Sequence, residues 1–311
     1  MKAKFFNGFI VFSFLILFIL VISNKYLILN TVSYSLDVWV NSLVPVMFPV
    51  FVISDVLLSF NITNYIPKFI KKYFKKLFKV SENGLSIFFL SMLSGFPSNA
   101  RLIAKMINEG NISNDEGQKL LAFTHFSNPM FVIFTIGSLF LGNVEYGYII
   151  LISHYLGNII IGLVLRNNIY TDCINYKTNS YKSQSFSKVL IKAIKTAIDS
   201  LLLILGTLTC FLIVSSLIVD LFLLNDYMGA IVRGILEMTM GLKYVSGLII
   251  PDIYKVVISC MFISFGGLAV HMQVLSQIID SKIEYLSFFV VRIWHAIISG
   301  IICYVIYFLV C

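Results

Sequence analysis

The chain has 311 residues, 59% of them hydrophobic and only 12% charged, with a formal net charge of +8 and a mean hydropathy of +0.92. A soluble domain has about 45–50% apolar and 25% charged residues, so this composition excludes a soluble catalytic or binding module and indicates an all-α polytopic membrane protein. The excess positive charge sits in lysine-rich stretches beside apolar runs, which points to positive-inside topology and anionic lipid and away from nucleic acid.

Residues 1–23 open with Lys2 and Lys4 and are apolar from Phe9 to Ile22. They resemble a signal sequence, but Asn24-Lys25-Tyr26 follows where a small-x-small cleavage site would stand, so an uncleaved first span with its N-terminus inside is expected. Residues 34–43 are mildly amphipathic, with Trp39 suited to an interface. Pro45 and Pro49 in the next apolar run predict a kinked or interrupted helix. Asp55 ends that run: it is either an intramembrane functional carboxylate, a candidate for ion coupling, or a group facing water at the interface. Residues 64–80 carry Lys68, Lys71, Lys72, Lys75, Lys76 and Lys79 among Ile66, Phe69, Ile70, Phe74, Leu77 and Phe78 at helical spacing. This predicts a basic amphipathic helix on the anionic inner leaflet, which makes anionic lipid its expected partner.

The apolar run 85–93 is cut short by Ser94-Gly95-Phe96-Pro97-Ser98-Asn99-Ala100-Arg101. Gly95 relaxes the backbone and Pro97 lacks a donor, so one helix is expected to stop and another to start near Ser98. In lipid such a break persists only where protein or a watery cavity satisfies the backbone, and broken helices of this kind build transporter midplane sites. Ser113 and Glu116 have capping-box spacing. Residues 118–126 are too polar for lipid, and Thr124-His125-Phe126-Ser127-Asn128-Pro129 marks a second break. The two breaks are read as half of a solute site. Apolar spans are expected at 130–141 and 146–165, followed by a cytoplasmic loop at 167–189 and a span at 201–224.

In the second half, Arg233 and Glu237 stand four apart, a spacing that allows an ion pair, while Glu237 is equally placed to face the site as a ligand or coupling group. The break Ser264-Phe265-Gly266-Gly267 echoes the one at residues 94–97, and Leu268-Ala269-Val270-His271-Met272-Gln273 follows it. Arg292 and His295 lie inside the last span. Together these patterns predict an inverted repeat with two broken-helix hairpins: an N-terminal span (1–33), a first repeat (34–166), the loop (167–189) and a second repeat (190–311).

A half-helix N-terminus offers free N–H groups and partial positive charge. Arg101 follows Pro97 and His271 follows Gly267, so two positive ends would suit a small carboxylate. The candidate substrate-binding residues are therefore Gly95, Pro97, Ser98, Asn99 and Arg101 at the first break, and Asn128 at the second. Glu237, Gly266, Gly267, His271 and Gln273 are their counterparts in the other half. The histidines His125, His154, His271 and His295 are scattered, and Cys173, Cys210, Cys260, Cys303 and Cys311 lack metal or disulfide spacing. No phosphate-loop or nucleophile-elbow motif occurs. Neither an enzyme nor a cofactor or metal is expected.

The motifs at residues 94–101 and 120–131, with Gly234-Ile235-Leu236-Glu237-Met238-Thr239-Met240-Gly241 and the segment 264–274, resemble the YlbJ family of sporulation integral membrane proteins. The resemblance covers most of the chain from about Val44. It implies a nucleoside-recognition Gate domain, similar to parts of concentrative nucleoside transporters. It further implies a spore-forming bacterium and carriage of dipicolinate across a forespore membrane. The family often has Gly-Tyr-Pro where this chain has Gly95-Phe96-Pro97, so a hydroxyl is missing here. Three readings stay open: a transporter or facilitator of a small organic anion, a non-transporting scaffold of a sporulation complex, and a nucleoside-type transporter. Homo-oligomers or other sporulation membrane proteins are the partners these readings imply.

Overall fold

A computed structural model describes residues 2–167 and 185–311, and its regular elements are all helical. Most of the loop expected at 167–189, with Cys173, lies outside the described residues. Six stretches among the described residues are long and apolar enough to cross a membrane: Phe6–Ser23, Lys25–Ser59, Val144–Asn167, Phe186–Leu221, Asp252–Ile278 and Tyr285–Val310. The first lies in α1 (Lys2–Ser23), and its apolar window buries nothing against the rest of the chain. A helix that is apolar on every side is stable in that position when lipid is its solvent.

Helices α2 (Lys25–Val38) and α3 (Val44–Ser59) make one span, joined by a π turn at Trp39–Leu43. The interruption expected from the two prolines takes the form of this turn, with Pro45 in the first turn of α3, where its missing N–H costs nothing. A 3-10 turn then leads to α4 (Lys68–Phe78). Its Phe74 and Phe78 pack inward, Phe78 stacking on Phe123 with centroids 5.0 Å apart, while Phe69, Tyr73 and Leu77 face outward.

The first hairpin consists of α5 (Glu82–Ser94) and α6 (Ser98–Asn108). Asn83 Nδ2 donates to Asn111 O (2.9 Å), so both open ends lie on the same side and the chain dips in and returns. At about 1.5 Å per residue, the 13 residues of α5 reach only about 20 Å, too short for the roughly 30 Å apolar layer. From the same side rises α7 (Asn114–Phe123). Ser113 Oγ accepts from Glu116 N (3.0 Å), but Glu116 turns to accept from Ser81 N (2.6 Å), so half of the expected capping box forms and α7 is tied to α5 instead. After the break at residues 124–129, a π-helical segment (Phe131–Phe140) completes the crossing, and α8 (Val144–Val164) returns. The buried Lys119 Nζ donates to Arg166 O (2.9 Å) and Lys79 O (3.3 Å), which joins the ends of α8 and α4 at this basic side.

The second half begins with α9 (Phe186–Leu221), 36 residues long. It runs beside α2 and α3, accepting at Leu201 O from Trp39 Nε1 (2.8 Å) and pairing Thr209 with Ser35 (2.8 Å). Helices α10 (Asp226–Leu236) and α11 (Met238–Gly247) form the second hairpin. Their backbones touch at glycines: a Cβ on Gly241 would lie 2.1 Å from Gly234 Cα. Asp226 and Gly247, at the open ends, line one cavity of about 410 Å³, with Lys243 also on its wall, on the side opposite the lysine-rich α4. Next, α12 (Asp252–Phe265) and α13 (Gly267–Ile278) form one span broken at Gly266, and α14 (Tyr285–Val310) returns. Tyr146 bonds Asp252 (3.2 Å) and Tyr307 (3.4 Å) at the far side, while Glu284 N donates to Gln118 Oε1 (2.6 Å) at the basic side.

Long span, hairpin, broken span and full span thus occur twice in opposite sense. The matching of elements differs from that read in the sequence, which set the break at 94–97 against the one at 264–267. The hairpin turn at Gly95–Pro97 corresponds to the turn at Glu237, and the interrupted span at 124–129 corresponds to the one at Gly266. The two hairpin turns use unrelated chemistry, and this hid the pairing.

Candidate functional site

The tip of the first hairpin is built against the first broken span. Gly95 has φ +75°, and a Cβ there would lie 2.5 Å from Asn128 N, so only glycine fits. Phe96 N donates to Phe126 O (2.8 Å). Asn128 Oδ1 accepts from Met130 N (2.9 Å) and Phe131 N (3.3 Å) while its Nδ2 donates to Leu93 O (3.3 Å). Asn128 therefore clasps the two breaks together and has little hydrogen-bonding capacity left for a solute. The Phe96–Pro97 peptide is cis, and α6 starts beyond it with no side-chain cap on its N-terminus. In its first turn Asn99 is fully buried, and neither amide atom has a partner.

The second hairpin is seated on the other broken span. Glu237 is extended at the turn, and its carboxylate accepts from Thr239 N (3.1 Å) and Met240 N (2.8 Å), capping α11. Gly266 and Gly267 have φ +95° and +68°, and a Cβ on Gly267 would lie 2.9 Å from Met238 N. These glycines thus let the hairpin approach closely, and α13 is left without a side-chain cap. Between the two tips lies a cavity of about 20 Å³ whose walls include Phe96, Phe131, Glu237, Thr239 and Gln273. That is room for about one water, so the tips meet in a closed state. Gln273 also donates to Thr207 Oγ1 of α9 (2.8 Å). No ion pair joins Arg233 to Glu237; the Arg233 guanidinium lies 4.2 Å from the Tyr244 ring centroid.

Two expected ligands sit elsewhere. Arg101 forms a buried ion pair with Asp55 of α3 and donates to Ser98 Oγ (3.3 Å). Both charged residues border a separate cavity of about 530 Å³ at the basic side, with Lys105, Lys192, Glu109 and Asp280 also on its walls. The charges there are mixed, and Arg101, set one helical turn beyond Pro97, points away from the tips. His271 bonds Phe265 O through Nε2 (3.1 Å) and Tyr285 through Nδ1 (2.9 Å), so it braces the α12–α13 break against α14 and does not face the cavity.

The scattered histidines are brought close to one buried polar core. Ser127 N donates to His154 Nε2 (2.9 Å), which leaves Nδ1–H to donate to Ser264 Oγ (3.0 Å). Arg292, fully buried, donates to Ala122 O, to Asn158 Oδ1 (3.2 Å) and to His295 Nδ1 (3.0 Å), and His295 Nε2–H donates to His154 O (2.9 Å). Asn158 Nδ2 donates to His125 O (3.0 Å). This network binds the end of α7 to α8, α12 and α14. The sequence offered only the spacings 154/158 and 292/295, one helical turn each, inside otherwise apolar spans. His125 is the exception within the core: it is fully buried, and neither ring nitrogen has a partner.

A chain of this architecture aligns over 325 positions with the "Sporulation integral membrane protein YlbJ" of Bacillus subtilis (strain 168), at 23% identity. The alignment spans 93% of this chain and 79% of that protein. No family model and no solved structure matches this chain. The YlbJ relationship covers both halves of the fold and therefore both hairpins.

Proposed function

We propose that this YlbJ relative acts in sporulation as a transporter or facilitator of a small organic anion, dipicolinate being the substrate that its resemblance implies, across a forespore membrane. The observation that carries this reading is the meeting of two re-entrant hairpins, entering from opposite sides, against two broken spans. Backbone breaks at membrane depth are costly unless protein buries them or they line a path for polar solute, and broken helices that meet at the midplane are a recurrent plan for such a path. Two helix N-termini, those of α6 and α13, lack side-chain caps there, and such ends favour negative charge. The lysine-rich side faces the cytoplasm under the positive-inside rule. Helix α4 then lies where its outward Phe69, Tyr73 and Leu77 enter the inner leaflet and its lysines meet anionic headgroups. Of the buried carboxylates, Glu237 and Asp55 are the two we assign to ion coupling.

The test is uptake of labelled dipicolinate into proteoliposomes containing the full chain. Saturable uptake, competed by unlabelled dipicolinate and absent from empty vesicles, is expected. Absence of uptake by folded protein sinks the reading. Uptake of labelled nucleosides in place of dipicolinate would move the protein to the nucleoside class.

A further inference from the structure

We propose that the Phe96 ring occupies, in this closed state, the place of a planar aromatic carboxylate, and that His125 beneath it is a recognition residue of the solute site. The inference deepens the transport reading and rests on it for the ligand class.

Four observations converge on this place. The Phe96 ring lies on the His125 imidazole at 4.7 Å between centroids and 14° between planes, a stacking that any flat ring would reproduce. His125 is wholly buried, yet both its nitrogens lack partners. Native interiors leave few such groups, and each calls for an explanation. Its Nε2 lies 3.5 Å from where a Cβ on Gly266 would stand, at the mouth of the uncapped α13 N-terminus. Finally, Arg292 is buried without a carboxylate partner among the described residues, and Asn158 links it to the backbone of His125. Intramembrane charges are normally paired or face a solute path, and here the unpaired charge is positive.

Phe96 also forms part of the wall of the 20 Å³ cavity shared with Glu237 and Gln273. Its ring therefore separates that cavity from His125. Withdrawal of the first hairpin tip would join the two spaces and bare one face of the imidazole. A ring-bearing carboxylate entering there regains the stacking that Phe96 gives up. Its carboxylate supplies the acceptor that His125 and the α13 N-terminus lack. Phe96 thus acts as an internal plug, which a Phe and a Tyr can both provide but an aliphatic residue provides less well.

The experiment is calorimetric titration of the full chain in nanodiscs with dipicolinate, benzoate and glutarate, using wild type, Phe96→Ala and His125→Phe. His125→Phe keeps a stacked ring and deletes the polar atoms. Removing the plug should tighten the two ring carboxylates about fivefold, since the site no longer has to expel its own side chain, and leave glutarate unchanged. His125→Phe should weaken the ring carboxylates about tenfold, the scale of one lost buried hydrogen bond. Unchanged or weaker ring binding in Phe96→Ala overturns the plug, and wild-type affinity in His125→Phe overturns the recognition role. If no variant binds any carboxylate, the transport reading fails. Benzene then decides the remainder: a rise in Tm with benzene in Phe96→Ala but not in wild type keeps the ring place, and no rise in either removes it.

Discussion

The first hairpin turns at Gly95-Phe96-Pro97 and leaves Asn99 buried without a partner, whereas the second turns at Glu237, whose carboxylate accepts the free amides at the start of α11. The backbone plan is shared, but the polar accounts are settled differently. The α11 end carries its own anion, so it offers nothing to a second one. The α6 end carries none, and its nearest cation, Arg101, is already held by Asp55. Under the proposed transport function a solute anion would find its unmet donors on the first-hairpin side and at α13, and Glu237 would be the group whose charge a co-transported cation or proton balances.

The severest test of the shared plan is steric. Gly95→Ala puts a Cβ against Asn128 N in a backbone of positive φ, and Gly241→Ala drives one into Gly234. Both should abolish the monodisperse species in size-exclusion chromatography. If Gly95→Ala folds normally while Gly241→Ala does not, the two hairpins are not built alike.

Next comes the Asp55–Arg101 pair, which ties α3 to the first hairpin and has no counterpart in the second among the described residues. Breaking it from one side strands a buried charge, a loss of about 3–5 kcal/mol. Arg101→Ala should therefore lower Tm strongly, and the double variant Asp55→Asn/Arg101→Gln should recover much of that loss. A double variant as unstable as the singles would show that the charges act independently.

A smaller effect is expected at Glu237. Glu237→Ala removes the cap of α11 and should cost about 0.5–2 kcal/mol, whereas Glu237→Ser retains an N-cap oxygen and should restore most of the stability but not the uptake. Recovery of both by serine would reduce Glu237 to a cap.

Much of this fold was legible in the chain. The composition indicated membrane helices, Gly95 and Pro97 marked a real hairpin turn, and the lysines of residues 68–79 marked an amphipathic helix. The second turn is hidden in the sequence because Glu237 breaks a helix through its side chain, without the glycine or proline that announces the first. The spacing of Arg101 from Pro97 along the chain points it to the solute site, but one helical turn carries its side chain to Asp55, a partner 46 positions away. His125, the unpartnered imidazole, lies in the second break, but nothing in its own segment sets it apart from His154, His271 or His295. Their partners come from other helices, and only packing shows which histidine has none.

The smallest stability effect, and the sharpest contrast between the hairpins, is predicted at Asn99. Removing a buried amide that already lacks partners relieves a desolvation cost, so Asn99→Ala should leave Tm unchanged or raise stability by up to about 1 kcal/mol. The counterpart at the other tip, Glu237→Ala, lowers it. Uptake should nevertheless fall in Asn99→Ala, because an amide kept unsatisfied in the closed state is explained by a partner that arrives in another. If Asn99→Ala is destabilised as much as Glu237→Ala, the amide is satisfied in the resting protein and the two tips are equally self-contained. If stability holds and uptake also holds, Asn99 lies outside the solute path, and the open end of α6 has to be read through His125 and the α13 terminus alone.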